Sequence, residues 1–140
     1  MGLTMHLNSY LHFNGKCEAA FKFYEQALGG KVLSLMRYDA TPAMGHVPAE
    51  MRDKVIHARL QLGDTVIMGS DAPSDRYSGA PRGFALSLNL NTVAEAEKAF
   101  KALAEGGQIS MPIGKTFFAA SFGMLTDQFG VPWMIVCEKE

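Results

Sequence analysis

His57 and Arg59 stand two residues apart in V55-I-H-A-R-L-Q-L62. In a strand this spacing puts both side chains, with Val55 and Gln61, on one face, while Ile56, Ala58, Leu60 and Leu62 take the other. An imidazole beside a guanidinium suits an anionic ligand or a proton transfer near neutral pH, provided that face is not simply the solvated one. Asn8, Tyr10 and His12 alternate in the same way in M5-H-L-N-S-Y-L-H-F13 and supply a second polar set. Ser70 and Asp71 close the fourth strand, begun by T65-V-I-M-G69, where the carboxylate can serve as a base or cap the loop. Phe117, Phe118 and Phe122 read as an apolar wall or as plain core. Trp133, the sole tryptophan, reads as a core or dimer-interface anchor or as a stacking surface. The expected catalytic set is therefore His57, Arg59 and Tyr10. The expected ligand contacts are Asn8, His12, Gln61, Ser70, Asp71, Phe117, Phe122 and Trp133.

Other chemistries lack their residues. His46 and Glu50 have a metal-ligand spacing of four, but Gly45 and Pro48 argue against a helix there, so this is read as a solvated loop. No Ser-His-Asp or Cys-His set can be singled out, and no G-x-x-x-x-G-K-S phosphate loop occurs. Cys17 and Cys137 have neither zinc nor redox spacing and read as buried, inert thiols. Nine methionines point to a plastic core or to a pocket for an irregular apolar ligand. With 13 basic against 14 acidic residues and no basic run, nucleic-acid binding has little electrostatic support. No apolar run reaches the roughly 18 residues of a membrane span. The start MGLTMHLNSY has no signal-peptide pattern, so the expected location is cytoplasmic.

The elements that must position these residues are written twice. E18-A-A-F-K-F-Y-E-Q-A-L-G-G30 recurs as E95-A-E-K-A-F-K-A-L-A-E-G-G107, an offset of 77 (107 − 30). With Asn14 and Asn91 included, seven of seventeen positions are identical, where roughly one match is expected by chance. In each copy an apolar stretch, M5–F13 or F84–L90, precedes a helix whose stripe is Ala19, Phe23, Ala27 or Ala96, Phe100, Ala104. The glycine pair then supplies a left-handed C-cap. A strand follows, 31–38 or 108–113, and then a hairpin: 55–62 and 65–69 about Gly63-Asp64, or 119–126 and 131–137 about D127-Q-F-G130. The chain thus reads as one α+β domain, 1–140, of two β-α-β-β-β modules, 1–70 and 84–140. The Pro- and Gly-rich stretch 71–83 joins them, and 39–53 is a long loop. Two such modules can curl their sheets into a half-barrel around a cavity with the helices outside.

These modules, F23-Y24-E-Q-A-L-G-G30 and D127-Q-F-G-V-P-W-M-I135, resemble the vicinal oxygen chelate superfamily, which includes glyoxalase I, bleomycin-resistance proteins and extradiol dioxygenases. S9-Y-L-H-F-N-G15, I56-H-A58 and M68-G-S-D-A72 are similar to its PhnB-like branch, whose members are often labelled demethylubiquinone methyltransferases. The resemblance spans essentially the whole chain and implies a homodimer. It also implies a divalent metal held by first- and last-strand side chains of each module. Carried over residue by residue, those four positions fall on Asn8 (or Ser9), Met68, Ala85 (or Leu86) and Met134. None is a good ligand for zinc, nickel or iron. The expectation is therefore a cavity without the inherited metal or any other cofactor, binding a small organic molecule.

Three readings follow. One is a sequestering protein of the bleomycin-resistance kind. Another is an enzyme, metal-free or with relocated metal ligands, that uses His57, Arg59 and Tyr10 as acid-base groups. The third is a methyltransferase, which the sequence does not favour, because no glycine-rich methyl-donor loop follows the first strand.

Overall fold

The computed structural model describes residues 5–40, 48–73 and 76–139. They form two compact units, Met1–Ser78 and Gly79–Glu140, each with the expected β-α-β-β-β order. The first contains β1 (Ser9–Phe13), α1 (Cys17–Leu28), β2 (Lys31–Arg37), β3 (Val55–Leu62) and β4 (Thr65–Asp71). The second contains β5 (Leu86–Asn89), α2 (Val93–Ala104), β6 (Gln108–Gly114), β7 (Ser121–Thr126) and β8 (Pro132–Cys137). The sheets are four-stranded, in the orders β1-β4-β3-β2 and β5-β8-β7-β6. The first strand of each unit runs parallel to the last, and the remaining pairs are antiparallel. β4 runs through Ser70 to Asp71, so Asp71, the first residue of the stretch read as a linker, lies in the sheet.

Each helix packs on one face of its own sheet, and the side chains between them form that unit's core. In α1 the buried positions are Cys17, Ala20, Phe21 and Tyr24; in α2 they are Ala96, Ala99, Phe100 and Leu103. Both sets follow i, i+3, i+4, i+7, the spacing that keeps a stripe on one side of a 3.6-residue helix. The stripe expected for α1 is corrected accordingly: Ala19 is exposed and Phe23 and Ala27 are only half-buried, because steps of four alone wind around the helix by about 40° each. The faces correspond at an offset of 79 (100 − 21), while the glycine pairs correspond at 77. Phe21 and Phe100 take the same place in their helical stripes, and each fills the space over a sheet glycine, Gly69 of β4 or Gly123 of β7. A Cβ on Gly69 would come within 2.9 Å of Phe21, and one on Gly123 within 2.7 Å of Phe100.

The two glycines of each pair do different work. Gly29 and Gly106 adopt φ of +70° and +75°, the left-handed turn that glycine takes without strain. Gly30 and Gly107 lie so close to the backbone carbonyls of Gln61 and Thr126 that neither has room for a Cβ. Gly29 directly follows α1, whereas after α2 the extended Glu105 intervenes before Gly106. Among the described residues no helix is long and apolar enough to cross a membrane.

Candidate functional site

On the first sheet the face opposite α1 carries the polar residues that the alternation predicted. Leu11, Phe13, Ala58, Leu60 and Ile67 are buried beneath the helix, while Tyr10, His12 and Arg59 are exposed and His57 is half-buried. The strand register sets Tyr10, Met68, Arg59 and Ser34 side by side across all four strands. Ser70 lies beside His12, and Met36 beside His57. Tyr10 joins the imidazoles: its ring centroid is 5.1 Å from that of His12 and 5.8 Å from that of His57. Its phenol oxygen makes a 3.3 Å hydrogen bond with His57 Nδ1. Arg59 Nη1 donates to the Met68 thioether at 3.7 Å.

The other expected residues of this unit serve the backbone. Asn8 Nδ2 donates to the Val66 carbonyl at 3.1 Å, and Gln61 Nε2 to the Gly63 carbonyl at 3.3 Å. Asp71 is 1 % exposed. Its Oδ1 accepts from the Cys17 amide at 2.9 Å and its Oδ2 from the Val55 amide at 3.0 Å. Lys16, the residue before α1, offers no side-chain cap, so Asp71 supplies one from a distant strand. Its contacts brace the starts of α1 and β3, which differs from the loop cap read from the sequence. Burial, with Asp71 alongside, pushes the Cys17 thiol far above its ordinary range. The Tyr38 hydroxyl donates to the Asp71 carbonyl at 2.9 Å, and burial raises its pKa.

Phe117, Phe122 and Trp133 belong to the second unit. Phe117, Phe118 and Phe122 contact edge to face in series, with centroids 5.2 Å and 5.0 Å apart. Phe117 is fully exposed and Phe122 is buried at the sheet. Trp133 is 2 % exposed under α2, with its Nε1 donating to Asp127 Oδ2 at 2.9 Å. Trp133 thus lies in the core of its unit. The row matching Tyr10-Met68-Arg59-Ser34 here is Ser87-Met134-Met124-Met111. This three-methionine row went unread in the sequence, because the residues lie on three strands whose register spacing does not show. Met36 was missed for the same reason.

The donor sets can now be compared with the metal that this fold family implies. Asn8 has only a neutral amide oxygen to offer, Ala85 has no donor atom, and Met68 and Met134 offer thioethers, which are soft ligands. These residues do not fit a hard or borderline divalent ion. His46 lies outside the described residues, and Glu50 sits in a single 3-10 turn, Ala49–Met51. That turn borders a depression of about 490 Å³ lined by Lys16, Glu50, Met51 and Lys54, to which none of the candidate site residues contributes.

The comparisons agree with this architecture. The family model of the glyoxalase/bleomycin resistance protein/dioxygenase superfamily matches residues 6–135. The chain is 37% identical to protein YjdN of Escherichia coli strain K12, over 97% of both proteins. The crystal structure of PA1353 from Pseudomonas aeruginosa is similar with a TM-score of 0.89 and 44% identity, over 98% of this chain and 100% of that one. A putative 3-demethylubiquinone-9 3-methyltransferase, the PhnB protein of Bacillus cereus, follows at a TM-score of 0.78 and 30% identity, over 95% and 99% of the two chains. Duplicated modules, sheet order and near full-length similarity converge: the chain belongs to the glyoxalase/bleomycin resistance protein/dioxygenase superfamily and resembles its PhnB-like members.

Proposed function

We propose that the protein binds a small organic molecule over the exposed face of its first sheet, and that His57 and Tyr10 exchange a proton with it without the family's metal. The hydrogen bond between Tyr10 and His57 carries this reading. It joins two groups able to move protons, on a sheet face whose opposite side is fully committed to the core. Arg59 completes the set. Tyr10 and Arg59 are exposed and His57 is half-buried, so substitutions there, including loss of the Tyr10–His57 bond, should cost at most about 1 kcal/mol, and ligand effects can be read separately. In a thermal-shift screen of small acids, glycopeptides and phosphonates, a ligand should raise the melting temperature of the native protein. His57→Ala and Tyr10→Phe should fold normally and lose that rise; an unchanged rise in His57→Ala would remove His57 from the site.

Sequestration without chemistry is the second reading. Met36 and Met68, flexible thioethers on the same face, favour it, because such side chains adapt to varied ligands. Recovery of the ligand unchanged after long incubation supports sequestration, and proton exchange into it supports catalysis. A metalloenzyme with relocated ligands would have to draw on His12 and His57, the two imidazoles of this face. Similarity to a putative methyltransferase does not extend to that activity in our reading, because N14-G-K16, after β1, is no glycine-rich methyl-donor loop. Cys17 and Cys137, both buried thiols, suit a cytoplasmic protein. A homodimer is part of the proposal: edge strand β6 has no charged residue and exposes Ile109 and Met111, where edges are ordinarily protected by charge.

A further inference from the structure

Arg37 and Arg59 lie in the same sheet and are treated differently. Arg37 Nη2 donates to both oxygens of Glu18 at 2.7 Å, so its charge is neutralised within the unit. Among the described residues Arg59 donates to the Met68 thioether and no carboxylate reaches it. The rows around it hold Tyr10, Met68, Ser34, His12, Ser70, His57, Met36 and Gln61, and none of these is acidic. A guanidinium presents N–H groups in a planar fork that fits carboxylate and phosphate oxygens, and a thioether satisfies almost none of that capacity.

The neighbouring pair adds donors whichever way its proton lies. With the Tyr10 hydroxyl donating to His57 Nδ1, a neutral imidazole keeps its N–H on Nε2, the nitrogen across the ring from Tyr10. With Nδ1–H donating instead, the phenol hydrogen is free for a ligand. Protonated imidazole offers Nε2–H as well. Each arrangement leaves at least one donor beside Arg59, which no carboxylate meets among the described residues. We infer that the molecule bound on this face is an organic oxoanion, a carboxylate or a phospho compound, whose acid group is held by Arg59 and the Tyr10–His57 pair. This rests on the reading that the face is a binding site, and it names the ligand's class.

The test uses the full chain and three probes of like size: benzoate, phenylphosphonate and neutral benzamide. Binding is followed by two-dimensional NMR of the Tyr10 and His57 side chains. At least one anion should shift these resonances with an affinity about tenfold or more above that of benzamide, the usual margin for charge-assisted hydrogen bonds. Arg59→Gln should erase the margin, while Arg59→Lys should keep part of it. The two anions separate the carboxylate source from the phospho source. Benzamide binding as tightly as both anions, with shifts at Tyr10 and His57, would overturn the oxoanion inference and leave the site reading standing. No shift at these residues with any probe at millimolar concentration would overturn both. Undiminished anion binding by Arg59→Gln would also overturn the inference.

Discussion

Single side chains explain why chemistry gathers at one place and scaffold duty at others. Asp71 and Asp127 are buried carboxylates with both oxygens taken, Asp127 by the amides of Phe129 and Val131 and the Trp133 indole. Asp71→Asn keeps one acceptor and turns an N–H₂ toward a backbone donor, so it should lower stability by about 2 kcal/mol or more in urea unfolding. Glu18 is held below the usual carboxylate range, chiefly by its hydrogen bond to Arg37 and then by Lys22. A depressed carboxylate pKa adds stability above its unfolded value and loses it as pH falls through the folded one. Both partners are partly exposed, at 41% and 33%. Glu18→Gln should therefore cost only about 0.5 kcal/mol at neutral pH, and the difference from wild type should vanish below the carboxylate range. Cys17, buried with its thiol pKa raised, should resist iodoacetamide in the native protein and react only on unfolding. Residue chemistry was legible within each strand: alternation put Tyr10 with His12 and His57 with Arg59, and the register between strands sets the two pairs on one face. What stayed hidden was contact across the sheet, such as the pair of Asp71 with Cys17, 54 positions apart.

At the scale of elements, the repeat is real in the glycines and strands and misleading in the helices. Counting from Gly30 to Gly107 matches Lys31 with Gln108 at the start of the next strand and Tyr10 with Ser87 in the first. The same count fails for Ala19 and Phe23, because burial selects a helical face and a face is not fixed by identical letters. The helix starts also differ: Thr92 Oγ1 accepts from the Glu95 amide at 3.1 Å, a local cap, whereas α1 depends on Asp71. The glycine pair makes a graded prediction. Gly29→Ala meets no neighbouring atom and should cost about 1 kcal/mol for its left-handed φ. Gly107→Ala would press on the backbone of Thr126 and Asp127 and should cost about 2 kcal/mol or more. Equal losses in thermal unfolding would contradict this division of labour.

Over the whole molecule, duplication has left two sheets of unlike chemistry. The first carries an arginine, two imidazoles and a phenol in register; the second carries methionines at matching positions. If β6 is the dimer edge, sedimentation should give twice the mass of one chain, and Ile109→Lys should shift it toward one. Family membership was readable from D127-Q-F-G-V-P-W-M-I135 and the duplicated frame, whereas the ligand was not, since no spacing encodes what a face receives. The central claim is that this member of a metal-binding superfamily works from a polar sheet face in place of the inherited ligand set. Elemental analysis tests it most directly, on protein purified without an affinity tag and equilibrated with nickel, zinc, manganese and iron. The account predicts well below one ion per chain for every metal; one tightly held ion per chain would contradict it.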